Sequence, residues 1–266
     1  MGGSWRAHAR LGKAWVRGPS SDSSKAVAPN LENDALATSL IHRILGRPAS
    51  DHEELGSRLL RERGINLVLD VGANEGWFGV RLRASGYRGR IVSFEPLEEM
   101  FGKLESRTEL DDRWESFHLA LGSEARTATL NVAGNWASSS LLPMNPRHRI
   151  AEPRSEYVGS EQCEVVTLDS LQERLIDPSE RAYLKLDVQG SELEVLKGAG
   201  DVLDQVEVIQ AELSLLPLYD GAPLLGSVVG YLDERRFGLV GLTPAFVDKS
   251  TGTILQVDGI FTRIIG

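Results

Sequence analysis

From residue 65 onward, short apolar runs alternate with segments in which apolar side chains recur at helical spacing. INLVLDVG (65–72) and RIVSFEP (90–96) are continuous hydrophobic runs, and each carries an acidic residue near its end. Runs of this length predict strands that are buried on both faces of a parallel sheet. Residues 77–84 and 100–107 repeat apolar positions every three or four residues, so they predict the helices that connect these strands.

The same alternation continues toward the C-terminus. Further strands are predicted for WESFHLALGS, which His118 interrupts, and for AYLKLDV and VEVIQAELS, with helices at SELEVLKGAGDVL and LLGSVVGYLDERR. FGLVGL and ILQVDGIFTRI follow each other closely, so they predict a final antiparallel pair of strands. The whole pattern is that of an α/β protein with a mostly parallel sheet.

Residues 127–167 break the alternation. TATLNVAG and CEVVTLDS predict two strands that could pair with each other. Between them, about residues 134–162 are polar and rich in proline. A long irregular stretch inside a compact domain is usually functional or disordered, and we interpret this one as a loop that faces the substrate.

The first 64 residues differ from the α/β region. Residues 1–30 include the Ser- and Pro-rich stretch GPSSDSSKAVAPN, which predicts a flexible tail. Residues 31–64 predict a helical N-terminal extension, and Gly64 is a suitable helix stop. Apolar residues recur at helical spacing in two groups: Leu40, Ile41, Ile44 and Leu45, and then Leu55, Leu59 and Leu60. The domain that follows then covers residues 65–266.

Composition narrows the classes of function. The net charge of -9 disfavours a nucleic-acid partner, because an acidic surface repels phosphate backbones. No apolar run approaches the ~20 residues that cross a bilayer, and the basic N-terminal residues allow at most peripheral membrane contact. A single cysteine, Cys163, excludes an intrachain disulfide and a Cys-rich metal site, and it fits a cytoplasmic location.

The first chemical motif is DVGANEG (70–76), at the turn between the first strand and its helix. Glycines in such a turn let the backbone approach a ligand closely. Gly72 and Gly76 are separated by Asn74, which is not the glycine spacing of a dinucleotide-binding turn. The carboxylate of Asp70 would repel a pyrophosphate and attract an ammonium or sulfonium group, so we predict that it holds such a group.

The second motif is Glu95 in SFEP, 25 residues after Asp70, at the end of the second strand. An acid at this position accepts hydrogen bonds from the ribose hydroxyls of a nucleoside. Together, the two motifs predict an adenosine-containing cofactor.

Two more acids follow later strands. Asp187 in KLDVQGSE ends the strand expected beside the first one, at the crevice where open α/β sheets bind ligands. It could orient a substrate, bind a metal or take a proton, or it could serve only as a helix cap. Glu212 in AELS could meet Asp187 across the cleft. Two carboxylates hint at a divalent metal, but they are too few to predict one.

Other side chains are weaker candidates. His118 has a suitable pKa for a general base, but its place inside a strand favours a core residue, and His148 in the loop is typical of a solvated position. Trp77 and Trp136 could stack on a ring, although we interpret both as packing residues. The loop could contact cofactor or substrate through three hydroxyls, those of Ser138, Ser139 and Ser140.

Residues 65–266 resemble the FkbM family of methyltransferases. The resemblance is carried by five segments together: DVGANEGWFG, VSFEP, HLALGS, YLKLDVQGSELEVLKGA and LQVDGIFTR. The resemblance implies a Rossmann-like class I methyltransferase fold with a seven-stranded sheet, S-adenosylmethionine as donor, and O-methylation. The typical acceptor is a sugar hydroxyl in a glycolipid, polysaccharide or glycosylated natural product. Many members have Glu where this chain has Gln189, so we assign Gln189 no catalytic or metal role.

The resemblance also implies roles at the site. The turn with Gly72, Asn74 and Gly76 would lie beneath the methionine portion, Glu95 and the adjacent Pro96 would hold the ribose, and the backbone of Leu119 and Ala120 would border the adenine. For the base we predict Asp187 or His118, and for substrate contacts Ser139, Ser140 and Glu212. Two alternatives stay open: a non-catalytic cofactor-binding scaffold, and an NAD-dependent oxidoreductase, which Asn74 disfavours.

Overall fold

The computed structural model describes residues 51–264. The predicted tail (1–30) and the helix predicted for residues 31–50 lie outside the described residues. The first described element, α1 (Asp51–Glu62), ends as the Gly64 signal predicts, because Gly64 has a φ of 61°, which favours glycine.

Ten strands and six further α-helices lie in the part of the chain that the structure describes. The strands are β1 (Leu67–Val71), β2 (Arg90–Phe94), β3 (Trp114–Phe117), β4 (Ala120–Leu121), β5 (Arg126–Ala133), β6 (Tyr157–Val166), β7 (Ala182–Leu186), β8 (Val206–Ser214), β9 (Phe237–Val247) and β10 (Ile254–Arg263). The helices are α2 (Trp77–Ala84), α3 (Glu98–Thr108), α4 (Pro146–Ala151), α5 (Gln172–Leu175), α6 (Glu192–Gly198) and α7 (Leu225–Asp233).

Seven strands form the main sheet in the order β3-β2-β1-β7-β8-β10-β9. The neighbouring strands from β3 to β8 pair in parallel, whereas β10 is antiparallel to both β8 and β9. This arrangement confirms the predicted seven-stranded, mostly parallel sheet with an antiparallel last strand.

The core occupies both faces of this sheet because successive residues of a strand point to opposite sides. All five residues of β1 are buried, and Leu67, Leu69 and Val71 pack into one cluster with α6 and α7. Val68 points the other way, into a cluster with residues of α1, α2 and α3. The continuous apolar run read from the sequence therefore reflects a strand covered on both faces.

A second, three-stranded sheet has the order β4-β6-β5. The predicted pairing of TATLNVAG with CEVVTLDS is confirmed, since β5 and β6 are antiparallel. The single strand predicted for WESFHLALGS is wrong: β3 belongs to the main sheet and β4 to the small one, with His118 at the break between them. The His118 side chain bonds to the carbonyl oxygen of Pro96 at 2.9 Å, outside the strand ladder.

The predicted loop at 134–162 is shorter and more ordered than the sequence indicates. β6 already begins at Tyr157, and residues 146–151 form α4. Asn145 caps this helix by accepting a hydrogen bond from the Arg147 amide, and Pro146 occupies its first turn, where proline is favoured. The proline that suggested irregular chain therefore starts a helix. We refer to residues 134–156 as the insertion segment.

The described helices include none that is both long and apolar enough to cross a membrane.

Candidate active site

A cavity of about 390 Å³ opens at the carboxyl ends of β1, β2 and β7. The chain runs from β1 outward to β2 and β3, and the next strand of the sheet, β7, lies on the other side of β1. The cavity therefore lies at the point where the strand order reverses, the usual ligand site of open α/β sheets. Of the residues predicted for the site, it is lined by Gly72, Asn74, Glu95, Pro96, Leu119, Ala120, Ser139, Ser140 and Asp187.

Glu95 joins the turns that follow β1 and β2. One carboxylate oxygen accepts a hydrogen bond from the Asn74 amide at 2.7 Å, and the other accepts one from the Leu97 amide at 2.9 Å. Burial raises the pKa of Glu95 to about 7, against the lowering effect of these two bonds. Each oxygen keeps a further lone pair for a ligand in the cavity.

Packing also requires glycine at both glycine positions of the first motif. A Cβ on Gly72 would lie 1.8 Å from the backbone oxygen of Asp187, so the turns after β1 and β7 touch. A Cβ on Gly76 would lie 2.8 Å from Leu104 Cδ1, and Gly76 does not line the cavity. Both have positive φ, which an L side chain rarely adopts. Gly72 thus fixes the distance between the two turns.

Asp70 lies beneath the cavity and does not line it. Its side chain is fully buried, 3.2 Å from Lys185 Nζ. Lys185 also donates to the Gly72 carbonyl oxygen at 3.0 Å and lies 3.5 Å from Asp187. Burial lowers the pKa of Lys185, but the nearby carboxylates outweigh it and raise the pKa above its ordinary value. The contact predicted between Asp70 and a ligand's cationic group stays a prediction.

Asp187 and Glu212 do come together, as the sequence suggested, but through a third side chain. The amide nitrogen of Gln189 donates to one oxygen of each, at 2.8 Å in both cases. Glu212 also accepts from Gln256 at 2.9 Å. Burial, followed by the nearby Asp187 charge, raises the pKa of Glu212 well above its ordinary value. Gln189, which the sequence left without a role, connects the two acids.

Asp187 marks the junction of two cavities. A second cavity of about 410 Å³ lies beside the first, and Phe78, Arg81, Asp187, Gln210 and Asp258 line both. Glu212 lines only the second cavity. The Asp187 side chain is 43% exposed, so its carboxylate faces the open space where the two cavities meet.

The family model of the methyltransferase FkbM domain matches residues 70–239, well over half of the chain. The chain belongs to the FkbM methyltransferase family. This match confirms the resemblance drawn from the motifs and disfavours the NAD-dependent oxidoreductase alternative.

Individual relatives of this FkbM chain are distant. The methyltransferase sdnD of Sordaria araneosa is 27% identical over an alignment of 156 positions, which covers 50% of this chain and 60% of the relative. The crystal structure of methyltransferase FkbM from Methylobacillus flagellatus KT has 18% identity and a TM-score of 0.46, with 74% of this chain and 43% of that chain covered. Magnesium protoporphyrin IX methyltransferase from Synechocystis PCC 6803 has 8% identity and a TM-score of 0.42, with 91% and 87% covered. The chain thus spans less than two thirds of its sdnD and FkbM relatives.

The two candidate histidines of this FkbM chain, His118 and His148, do not line the cavity. His118 is exposed rather than a core residue, and it stacks on Phe101 with ring centroids 4.8 Å apart. His148 is buried rather than solvated, because α4 packs it between Tyr219 and Phe246. Burial lowers the pKa of His148 to about 4. The predicted environments of both histidines are therefore wrong.

The two candidate tryptophans, Trp77 and Trp136, both line the first cavity. Trp77 is 41% exposed and lies under the Arg107 guanidinium, so the packing role we predicted for it is wrong. Trp136 packs partly against a core cluster and has a φ of 60°. Sequence reasoning assigned no role to Tyr219, nor to Lys185 although it begins the KLDVQGSE motif, because their partners Gln189, Asp70 and Gly72 are remote from them in the chain.

Residues 51–264 contain no group of three or more His, Cys, Asp or Glu side chains arranged to hold a metal ion. This part of the chain therefore adds no support for the divalent metal that the sequence analysis left open.

Proposed function

We propose that this protein is an S-adenosylmethionine-dependent O-methyltransferase whose acceptor is a hydroxyl of a sugar, in a glycolipid, polysaccharide or glycosylated natural product. The observation that carries the proposal is the pairing of Glu95 and Asp187 along one cavity, each at the end of a parallel strand. In this proposal, Glu95 binds the nucleoside of the cofactor and Asp187 binds the acceptor.

The residues around the first cavity fit S-adenosylmethionine. Its volume lies within the ~300–1,000 Å³ of typical small-molecule sites. Glu95 presents carboxylate oxygens for ribose hydroxyls, and the adjacent apolar wall formed by Leu97, Met100 and Leu119 suits an adenine ring. Asn74 lines the same cavity and can bind the polar methionine portion.

Bound S-adenosylmethionine supplies a methyl group on a sulfonium, which an acceptor oxygen attacks in line. Positioning accounts for much of the acceleration of such a step. Asp187 accepts the hydrogen bond of the acceptor hydroxyl and takes its proton as the ether forms. Gln189 fixes one oxygen of Asp187, and Lys185 lies near the other, so the carboxylate keeps one orientation.

The lining of the second cavity supports a polyhydroxylated acceptor. Asp187, Glu212, Gln210 and Thr243 present oxygen and amide groups on one side, while Phe78 and Pro244 provide apolar surface. Sugars offer both hydroxyls and an apolar ring face, so a mixed lining of this kind suits them. The acidic groups also support the prediction that the acceptor is not a nucleic acid.

Cofactor binding is tested by calorimetric titration of the purified protein with S-adenosylhomocysteine, with NAD as a second ligand. We expect micromolar binding of S-adenosylhomocysteine, weakened at least tenfold in Glu95→Ala because the ribose loses a charged partner (about 1.4 kcal/mol). Glu98→Ala is the matched control, since Glu98 is an exposed acid near the same turn. Well-folded protein that binds no S-adenosylhomocysteine would instead support the non-catalytic scaffold.

Acceptor chemistry is tested by incubating the protein with methyl-labelled S-adenosylmethionine and a panel of alkyl glycosides, amines and carboxylic acids. Mass spectrometry of the products then assigns the methylated atom. Label on a sugar oxygen, lost in Asp187→Asn, supports the proposal. Label on nitrogen or on a carboxylate would contradict the O-methylation of a hydroxyl while leaving the methyltransferase in place.

A further inference from the structure

The turn after β7 has an unusual backbone for its sequence. Gln189 has a φ of 52° and Gly190 a φ of 98°, so a side-chain-bearing residue occupies the left-handed region. Such a conformation persists only where the surroundings hold it. Here the buried Glu192 accepts hydrogen bonds from the Val188 and Gly190 amides at 3.2 Å, and Ser140 donates to the Gln189 carbonyl oxygen at 2.7 Å.

This backbone aims the Gln189 side chain between the two acids. Its nitrogen carries two hydrogens, and the Asp187 and Glu212 oxygens lie at 2.8 Å from that nitrogen. Its oxygen accepts from the Tyr219 hydroxyl at 2.7 Å. A carboxylate oxygen that carries no hydrogen can only accept, so the amide nitrogen is assigned as the end that faces these oxygens, and the amide oxygen as the end that faces the Tyr219 hydroxyl. Every polar atom of the Gln189 side chain therefore has a defined partner.

Charge explains why an amide fits this position better than an acid. Asp187, Glu192 and Asp258 all act on Glu212, and Lys185 Nζ lies 3.5 Å from Asp187. A carboxylate in place of the amide would bring a further negative charge to within hydrogen-bond distance of two others. At such distances, like charges cannot all be ionised without a large shift in pKa.

Gln189 also connects the acids to the insertion segment. Ser140 bonds to its backbone, and Tyr219 bonds both to its side chain and to the Ser138 carbonyl oxygen at 3.1 Å. Ser139 and Ser140 themselves line the first cavity. A single residue thus touches the acid pair, the cavity wall and the segment that covers it.

We propose that Gln189 is a positioning residue: its amide holds the Asp187 carboxylate at the junction of the two cavities, with Glu212 as the second anchor and the insertion segment as support. The proposal rests on the proposed function only in taking the first cavity as the cofactor site. Gln189 acts through Asp187 and need not touch the acceptor.

The first test needs no ligand. Thermal unfolding of Gln189→Glu is followed from pH 5 to pH 8.5 beside Gln162→Glu, which adds the same charge on an exposed position of β6. We expect the melting temperature of Gln189→Glu to match that of Gln162→Glu near pH 5 and to fall progressively below it as the pH rises. The new acid has a raised pKa in the folded state, so its cost is absent at low pH and complete above that pKa. A constant difference across the pH range would overturn the proposal.

The second test measures ligand affinities and uses a charged ligand to detect whether the Asp187 carboxylate has moved. Sinefungin carries an ammonium group where S-adenosylhomocysteine has a neutral sulfur, so the ratio of their affinities reports a nearby carboxylate. Gln189→Met keeps the shape of the side chain and removes both donors, and we expect it to reduce the preference for sinefungin about fivefold. Gln162→Met should leave the preference unchanged.

The outcomes separate the two proposals. An unchanged preference in Gln189→Met, with both ligands bound, would overturn the role of Gln189 while leaving the cofactor site intact. If wild-type protein binds neither ligand, the proposed function fails, and the unfolding experiment still decides whether Gln189 holds the acid pair.

Discussion

The ionisation of Glu95 makes cofactor affinity depend on pH in a defined window. Ribose hydroxyls donate to the ionised carboxylate, so binding favours the charged form, whereas burial in the free protein raises its pKa to about 7. The affinity for S-adenosylhomocysteine is then greatest above pH 7 and falls as the pH drops through 7. It levels off once the pH passes below the pKa of Glu95 in the complex.

The magnitude follows from the ionised fraction. A group with a pKa of about 7 is only about one tenth ionised at pH 6, so the affinity there should be roughly tenfold weaker than at pH 8, or about 1.4 kcal/mol. Calorimetric titrations at half-unit intervals from pH 5.5 to 8.5 measure this directly. In Glu95→Gln the amide does not titrate, so the affinity should be weak and nearly independent of pH.

Two controls make the test decisive. Glu98→Gln removes an exposed acid at the start of α3 and should retain the wild-type pH dependence. Circular dichroism across the same range checks that the fold is constant. A flat affinity profile for wild-type protein, or an equally steep profile for Glu95→Gln, would refute the assignment of Glu95 as the titrating ribose ligand.

Three further predictions concern stability. Gly72→Ala places a Cβ 1.8 Å from the Asp187 carbonyl oxygen and should cost at least about 3 kcal/mol in urea unfolding, whereas Gly86→Ala, with equally positive φ but open space, should cost only about 1 kcal/mol. Lys185→Met leaves the buried Asp70 carboxylate unpaired and should cost roughly 3–5 kcal/mol, much of it recovered in Asp70→Asn/Lys185→Met; an unrecovered double variant would contradict the ion pair. Burial lowers the pKa of His148 to about 4 from an ordinary 6.5, so the free energy of unfolding should fall by about 3 kcal/mol as the pH drops from 6.5 to 4 and the unfolded chain binds the proton first. In His148→Phe this part of the pH dependence should disappear. An unchanged pH profile in the variant would mean that His148 is not buried in its neutral form.

The alternation of apolar runs and helical segments was enough to predict the main sheet, because strands such as β1 are covered on both faces and leave an uninterrupted hydrophobic signal. The acids Glu95 and Asp187 follow two of those strands, and the carboxyl ends of parallel strands meet at one edge of the sheet. Their positions in the sequence were therefore enough to predict that they lie at the same cavity. The break at His118 was missed because β3 and β4 are separated by only His118 and Leu119 in the chain, yet pair with different sheets. Nothing local in a sequence encodes which sheet a strand joins.

Side-chain environments were harder to predict than elements. His148 follows a proline in a polar stretch, which is typical of a solvated residue, but α4 turns it toward Tyr219, 71 residues further along the chain. Lys185 looks like a polar interruption of a strand until the fold places Asp70 beside it on the neighbouring strand, where the two residues pair in register. Both cases depend on contacts between distant segments, which periodicity does not report.

The two cavities of the site differ in the kind of contact that fixes their shape. The first cavity, the proposed cofactor site, is fixed by contacts between backbone turns: Gly72 packs on the Asp187 carbonyl, Lys185 bonds the Gly72 carbonyl, and Glu95 bonds the Asn74 amide. The second cavity, the proposed acceptor site, is lined by side chains from separate elements, including α1, α2 and residues 243–245 of β9. Side chains of this kind can be exchanged without moving the turns. We therefore expect substitutions at Thr243 and Ala245 to change which acceptor is methylated while leaving S-adenosylhomocysteine affinity within about twofold, since ligand contacts on separate elements act nearly additively.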